Sequence, residues 1–208
     1  MEVSPPGDRL GSFFSLNKIL AGAADVFRQK GVDASTVEDI LLAAGVSRRT
    51  FYKAFANKEE VLVALHRELS GLLMSVMRNA LEGAKTARER LERCVDVYLL
   101  AAQRSGGLML ELQAQALRTG KLAERRKAVL TEMAELVEET SQKENRSLVD
   151  PLLVFGVLAG MEAVVRQMME SGRLTDSDMA RARRVLVRLA AGALAEPGDD
   201  VPPLPVRL

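Results

Sequence analysis

A cluster of four cations carries the clearest potential chemistry in this sequence: Arg48, Arg49, Lys53 and Lys58. No acidic residue lies between Val46 and Lys58, although the whole chain is nearly neutral, with 29 basic and 28 acidic residues. Clustered cations neutralise backbone phosphates, and the planar fork of arginine also donates to O6 and N7 of guanine. The cluster therefore indicates nucleic-acid binding, with a solvated helix face as the alternative.

Two short predicted helices would position these cations. Ser35, followed by Glu38 at the third position of a helix, forms a capping-box pattern that predicts the start of the first helix. Gly45 allows the left-handed turn that ends it, and Ser47 is the expected cap of the second helix. Asn57 predicts the start of a further helix. A helix, a glycine turn and a helix with a basic face are typical of a DNA-binding helix-turn-helix.

The stretch from Ile19 to Leu65 resembles the N-terminal DNA-binding domain of the tetracycline-repressor-like (TetR) family. It contains Ser-Thr-Val-Glu-Asp-Ile, Ala-Ala-Gly-Val-Ser, Thr-Phe-Tyr-x-x-Phe and Asn-Lys-Glu in that order. Gly22 departs from the pattern, and we expect it to loosen the first helix slightly.

The resemblance implies a role for each polar residue in this region. Arg48 and Arg49 would enter the major groove and meet base edges, whereas Thr50 and Tyr52 match positions that typically hold phosphates. The resemblance implies the same phosphate contact for Lys58 and either role for Lys53. The full predicted DNA-binding set is Thr36, Ser47, Arg48, Arg49, Thr50, Tyr52, Lys53 and Lys58.

Composition predicts an all-α fold. No proline interrupts the chain between Pro6 and Pro151, aromatic residues are few, and alternating strand-like runs are absent. Helical periodicity and breaker residues predict five regions: a disordered leader (1–12), a helix-turn-helix domain (13–58), a connecting helix (58–82), a further helical domain (83–195) and a disordered tail (196–208). The resemblance implies that the domain of residues 83–195 binds a ligand and dimerises. Thr175 and Asp178 are the expected capping pair of the last helix.

The last two predicted helices are apolar on more than one face, so more than one face must be covered. Coverage within one chain is the alternative to a partner chain. The resemblance favours a homodimer that pairs through these helices. The candidate interface residues are Gly156, Gly160, Ala163, Met179, Ala182, Leu186, Leu189 and Ala193.

The resemblance also implies a pocket for a small-molecule inducer within the helical body. Candidates are apolar positions with occasional polar groups: Leu72, Met77, Leu91, Cys94, Tyr98, Leu112, Gln115, Met133, Phe155 and Glu162. Plain core packing is the alternative for each of them. Glu162 is unusual because it is charged within an apolar run, and Arg166 one turn later is its expected partner.

Catalysis, metal binding and membrane insertion are not expected. The single histidine, His66, has no cysteine or carboxylate at metal-ligand spacing, and the sequence contains no GxGxxG, P-loop or GxSxG motif. We therefore predict no enzyme activity and no cofactor. The longest apolar run, Leu152 to Met161, is too short for a bilayer, which needs about twenty residues. The lone Cys94 fits a reducing cytoplasm and is either packing or a redox sensor.

These observations predict a cytoplasmic transcriptional regulator, most often a repressor in the resembled family. It would bind double-stranded DNA at a near-palindromic operator as a homodimer and be released by an unknown small-molecule inducer. The alternative is a helical small-molecule carrier or scaffold whose DNA-binding domain is vestigial.

Overall fold

The computed structural model describes the backbone of residues 6–118, 120–143, 145–169 and 175–205, and the side chains of these residues except 6–10 and 12. Every regular element in these ranges is an α-helix, which confirms the predicted class. The described helices are α1 (Pro6–Lys30), α2 (Val37–Ala44), α3 (Arg48–Ala54), α4 (Lys58–Leu81), α5 (Ala87–Arg104), α6 (Leu108–Ala116), α7 (Gly120–Lys143), α8 (Pro151–Met169) and α9 (Asp176–Leu194).

The predicted disordered leader is wrong in its second half. Residues 1–5 lie outside the described part, but α1 begins at Pro6. Proline is favoured at the first helical position because the N–H that it lacks would have no intrahelical partner there. Gly11 costs roughly 1 kcal/mol relative to alanine in a helix, which is too little to end a helix that continues to Lys30.

The chain forms two compact units. The N-terminal unit comprises Met1–Glu68 and Glu111–Arg125, and the C-terminal unit comprises Leu69–Leu110 and Arg126–Leu208. The predicted division had left Glu111–Arg125 with the ligand-binding domain. This segment is tied to the N-terminal unit by polar contacts to Asp33. Gln115 Nε2 donates to Asp33 Oδ1 at 3.1 Å, and Arg118 Nη1 donates to Oδ2 at 3.2 Å.

The core of the N-terminal unit forms between α1 and the two helices that follow it. Ile19, Ile40 and Phe51 are fully buried there. Gly22 allows α1 and α2 to approach closely, since a Cβ at this position would lie 2.7 Å from the backbone nitrogen of Ala44. The expectation that Gly22 loosens the first helix was therefore wrong, because the missing side chain is what permits the close packing of this helix pair.

The core of the C-terminal unit packs α5 against α8 and α9. Val95, Val165 and Leu186 are almost completely buried in it. The predicted capping pair of α9 is confirmed, because Thr175 accepts a hydrogen bond from the Asp178 N–H and the Asp178 carboxylate accepts one from the Thr175 N–H.

The tail that follows α9 has no helix in residues 196–205, but its first residues are held by side chains. Arg146 forms two hydrogen bonds with the carboxylate of Asp199, at 3.0 and 2.6 Å. The backbone N–H of Ser147 donates to Glu196 at 2.7 Å, and Arg88 pairs with Asp200. The predicted disorder does not describe residues 196–200, because these ion pairs fix them. Residues 206–208 lie outside the described part.

Candidate nucleic-acid interface and ligand cavity

The capping box of α2 lies one residue later than predicted. Thr36, not Ser35, is the N-cap: its hydroxyl accepts from the Asp39 N–H at 3.2 Å, and the Asp39 carboxylate accepts from the Thr36 N–H at 3.0 Å. Ser35 is buried, and its hydroxyl donates to the carbonyl of Gly31. Both Ser35-Glu38 and Thr36-Asp39 satisfy the pattern, but the hydroxyl of Ser35 is already bonded to Gly31, so Thr36 is the residue that caps the helix.

The turn and the start of α3 follow the prediction. Gly45 has a φ of +62°, in the left-handed region that favours glycine, and its N–H is bonded to α2 carbonyls. Ser47 is confirmed as the cap of α3, since its hydroxyl accepts from the Thr50 N–H at 3.1 Å. Phe51 and Phe55 face the core. This packing fixes α3 and leaves its opposite face to solvent.

The exposed face of α3 carries the predicted DNA-binding side chains. Arg48, Arg49 and Lys53 are exposed, and Tyr52 is 52 % exposed, with its ring edge-to-face against Phe51. Among the other candidates, Thr36 and Ser47 are exposed and Thr50 is half-buried. Six of the eight candidates therefore lie on α3 or at its cap and none of these six is buried, whereas Thr36 caps α2.

Arg48 and Arg49 differ in their surroundings. Arg48 Nη2 lies 2.5 Å from a carboxylate oxygen of Glu38 on α2, and both side chains are exposed. Arg49 forms no ion pair with any described residue. A DNA phosphate or base would have to compete with Glu38 for Arg48, whereas Arg49 requires no such exchange.

Lys58 has a structural role that the sequence did not indicate. Its ammonium group donates to the carbonyl oxygens of Val32 and Ser35, at 2.7 and 2.6 Å. These carbonyls belong to the segment that connects α1 to α2, so the lysine ties that connection to the start of α4. A phosphate contact, which the resemblance implied, would have to use the remaining N–H of the same ammonium group.

The C-terminal unit encloses a cavity of about 350 Å³, which lies within the range of ligand pockets. Its walls are mainly apolar side chains of α4, α5, α7, α8 and α9, such as Met77, Val95 and Met161. Exposed residues of the 146–150 segment, among them Ser147 and Asp150, line its outer end. We call the opposite end, which is lined by the most deeply buried residues such as Val95 and Tyr98, the inner end of the cavity.

Half of the predicted pocket residues line this cavity: Met77, Leu91, Cys94, Tyr98 and Met133. The other five do not. Leu72 is 63 % exposed and Phe155 is 43 % exposed, because each projects from its helix toward solvent. Leu112 and Gln115 belong to the N-terminal unit, where Leu112 is core and Gln115 is bonded to Asp33.

Glu162 is also not a lining residue, and its expected pairing with Arg166 is wrong. Its carboxylate accepts from Arg126 Nη2 of α7 at 2.8 Å, and both side chains are largely buried. Arg166 instead donates to the carbonyl oxygen of Leu110 at 3.3 Å. The guanidinium of Arg126 also lies 5.9 Å from the centre of the Phe155 ring.

Two titratable side chains of the cavity are shifted by burial. Burial raises the pKa of the Cys94 thiol to about 11, so the thiol is protonated at neutral pH and suits packing better than redox sensing. Burial is also the main cause that raises the pKa of Tyr98, with a smaller contribution from Glu162. Tyr98 is therefore a neutral hydrogen-bonding group.

Sequence reasoning missed the outer end of the cavity. Arg146 and Glu196 line it and are joined through the tail contacts described above. No local pattern connects residues so far apart in the chain. The only available signal was the occurrence of a lone arginine in a polar loop and of acidic residues in the tail.

The candidate interface residues fall into two groups. Ala182 and Leu186 are completely buried in the core of their own unit, so their assignment to a dimer interface was wrong. Their helical spacing describes the inner face of α9. Gly156, Ala163 and Leu189 are exposed, whereas Gly160, Met179 and Ala193 are half-buried. A Cβ on Gly160 would lie 3.1 Å from the side chain of Leu189, so α8 and α9 approach closely at this point.

Two other features bear on the site. The described residues contain no group of three or more histidine, cysteine or carboxylate side chains that could hold a metal ion. By length and composition, α8 qualifies as a possible membrane-spanning helix within the same residues, although core helices meet this criterion as well. The expectation of no membrane partner stays a prediction.

A capped helix-turn-helix with an exposed basic face defines a DNA-binding regulatory protein by its fold. Residues 19–65 match the family model of bacterial regulatory proteins of the tetR family. The match covers the helix-turn-helix and the first part of α4. Members of the matched family are regulators rather than enzymes, in agreement with the prediction of no enzyme activity.

Sequence similarity extends to characterised regulators. The chain is 30 % identical over 98 residues to the fatty acid metabolism regulator protein of Bacillus subtilis, a match that covers 46 % of this chain and 50 % of that protein. The chain thus spans about half the length of the curated relatives that it matches.

Solved structures share the fold over nearly their whole length. The fatty acid degradation regulator FadR of Bacillus halodurans superposes with a TM-score of 0.69 at 22 % identity, covering 89 % of this chain and 97 % of that one. FadR from Bacillus subtilis in complex with stearoyl-CoA gives 0.69 at 24 % identity, covering 84 % and 97 %.

Proposed function

We propose that this protein is a cytoplasmic transcriptional repressor that binds a near-palindromic DNA operator as a homodimer and is released by a small apolar ligand. The observation that carries the proposal is the exposed polar face of α3. Arg49 and Tyr52 lie on it, and the buried Phe51 holds the helix in place. A helix presented in this way fits the major groove, where arginine reads guanine and neighbouring hydroxyls hold phosphates.

An exposed apolar stripe on α8 supports dimerisation. Leu152, Phe155, Gly156 and Ala163 recur at helical spacing and are all exposed, and Leu152 is 76 % exposed. With Leu189 of α9 they form a surface that a second copy of the chain would cover. Two copies related by a two-fold axis would place their reading helices about one DNA turn, roughly 34–36 Å, apart.

The cavity of the C-terminal unit supports ligand control. Its apolar walls suit an acyl chain or a similar apolar molecule, and the FadR structure with stearoyl-CoA shows that a protein of the same fold takes such a ligand. A ligand releases DNA only if it binds more tightly to a conformation that fits the operator less well. We propose this difference in affinity as the basis of induction.

Binding to DNA from the protein's own promoter, measured by gel shift or fluorescence anisotropy, tests the proposal. We expect specific binding whose affinity falls steeply with salt, because each phosphate contact releases counterions. Addition of a long-chain acyl-CoA should weaken the binding. A carrier or scaffold with a vestigial DNA-binding domain would bind the ligand and show no sequence-specific DNA affinity.

The oligomeric state is a separate test. We expect a dimer by size-exclusion chromatography with light scattering, and Leu152→Lys should shift it toward the monomer. The matched control is Leu72→Lys, which changes another exposed leucine outside the α8 stripe and outside the cavity. A monomeric wild-type protein would contradict the proposed mode of operator binding.

A further inference from the structure

The inner end of the cavity contains a polar group without a partner. The hydroxyl oxygen of Tyr98 is fully buried and has no hydrogen-bond partner among the described residues, and the whole residue is only 6 % exposed. Buried polar groups are nearly always paired, because an unmade hydrogen bond costs free energy. Because the side chain of Tyr98 lines the cavity, a ligand of the cavity is the candidate partner of this hydroxyl.

The charged groups around this hydroxyl define what it would bind. The charged side chains near Tyr98 are Arg126, Glu162 and Arg166. Arg126 and Glu162 neutralise each other in a largely buried pair, and Arg166 adds one positive charge. Two guanidinium groups against one carboxylate favour an oxygen atom that carries partial or full negative charge.

The rest of the cavity limits the remainder of the ligand. The residues that surround Tyr98 in the wall, including Val95, Val157 and Met161, are buried and apolar. A ligand that reaches Tyr98 must therefore be apolar along most of its length. Other polar lining residues, among them Thr140, Ser141 and Arg146, belong to α7 and to the segment that follows it.

We propose that Tyr98 anchors the ligand of the C-terminal cavity by donating a hydrogen bond to a carbonyl or carboxylate oxygen on an otherwise apolar molecule. The inference rests on the proposed ligand control and deepens it by naming the recognised group. Arg166 would supply the net positive charge near the hydroxyl, since Arg126 and Glu162 neutralise each other.

The test compares Tyr98→Phe with the wild type, using dodecanoate, methyl dodecanoate and dodecane as probes in calorimetric titrations. We expect Tyr98→Phe to bind methyl dodecanoate roughly 3- to 10-fold more weakly and dodecanoate about tenfold or more weakly, because a hydrogen bond to a charged acceptor is stronger. The affinity for dodecane should not change. Loss for dodecanoate alone would identify a carboxylate, and loss for both would identify the carbonyl oxygen that they share.

Two controls separate recognition from folding. Tyr52→Phe removes the hydroxyl of the only other tyrosine and should leave all three affinities unchanged. Without ligand, Tyr98→Phe should melt at the same temperature as the wild type or higher, since it removes an unpaired buried hydroxyl. A lower melting temperature would show that the hydroxyl has a structural partner and would overturn the proposal.

Three other results would also overturn it: equal affinities of wild type and Tyr98→Phe for both oxygenated probes, an equal loss for dodecane, or no binding of any probe to the wild type. DNA binding without ligand is measured separately. A failure there would contradict the regulator function and leave the Tyr98 measurement interpretable.

Discussion

The two tyrosines of this chain lie in regions with opposite surroundings. Tyr52 is half-exposed on α3 of the N-terminal unit, among cations and hydroxyls that face solvent. Tyr98 is buried in the wall of the C-terminal cavity, and its hydroxyl has no partner among the described residues. The first region is built from residues adjacent in sequence, whereas the second combines residues of five helices. The proposed DNA-binding surface thus depends on a local motif, and the proposed ligand site depends on long-range packing.

The largest expected effect contrasts the buried and exposed rings of α3. Phe51→Ala should lower the free energy of unfolding by about 3–5 kcal/mol, because the ring is fully buried and its removal leaves a cavity. Tyr52→Ala should cost much less stability and mainly weaken DNA binding. Chemical denaturation of both variants measures this contrast. Equal destabilisation would mean that Tyr52 belongs to the core.

The same substitution at two glycines should have opposite effects in the two units. Gly22→Ala should destabilise the protein by about 1–3 kcal/mol, because the new Cβ meets the backbone of Ala44 at 2.7 Å. Gly71→Ala should stabilise it by about 0.4–1 kcal/mol, since nothing lies within 4 Å and alanine favours the helix. Thermal melts of the two variants would contradict this account if they shifted in the same direction.

Release of Arg48 from its partner should have a smaller effect. Glu38→Gln removes the exposed ion pair with Arg48 and should strengthen DNA binding by roughly 0.2–1 kcal/mol, the range of exposed ion pairs. Anisotropy titrations at low and high salt check this, because the gain should shrink as salt screens the pair. Weaker binding by Glu38→Gln would show that the carboxylate positions Arg48 for the groove.

The smallest effect concerns acid stability. The pKa of Asp39 is lowered from 3.8 to about 2, first by the hydrogen bond from Lys30 and then by the cap contacts with Thr36. Because the pKa is lower in the folded state, this stabilisation is present above pH 3.8 and is lost as the pH falls toward 2. Asp39→Asn should therefore melt lower than the wild type at pH 5, and the difference should shrink at pH 2.5. A constant difference would show that the carboxylate charge is not involved.

The features that could be predicted from the sequence are those controlled by neighbours in the chain. Ser47, Gly45 and the Thr175–Asp178 pair act within one or two helical turns, so their patterns indicated their roles correctly. The contacts of Lys58 with Val32 and of Glu162 with Arg126 join distant segments, and no local pattern identifies such partners. Leu112 failed as a pocket candidate for the same reason, because apolar periodicity shows that a residue is buried but not which unit buries it.

The most direct test of the central claim is the affinity of Arg49→Ala for the protein's own promoter DNA, measured with the wild type over a series of salt concentrations. Arg104→Ala, which removes an exposed arginine at the end of α5, is the matched control. The account predicts that Arg49→Ala loses about 1–3 kcal/mol of binding free energy for the specific site, and that the control binds like the wild type. Equal binding by Arg49→Ala and the wild type would contradict the assignment of α3 as the reading helix.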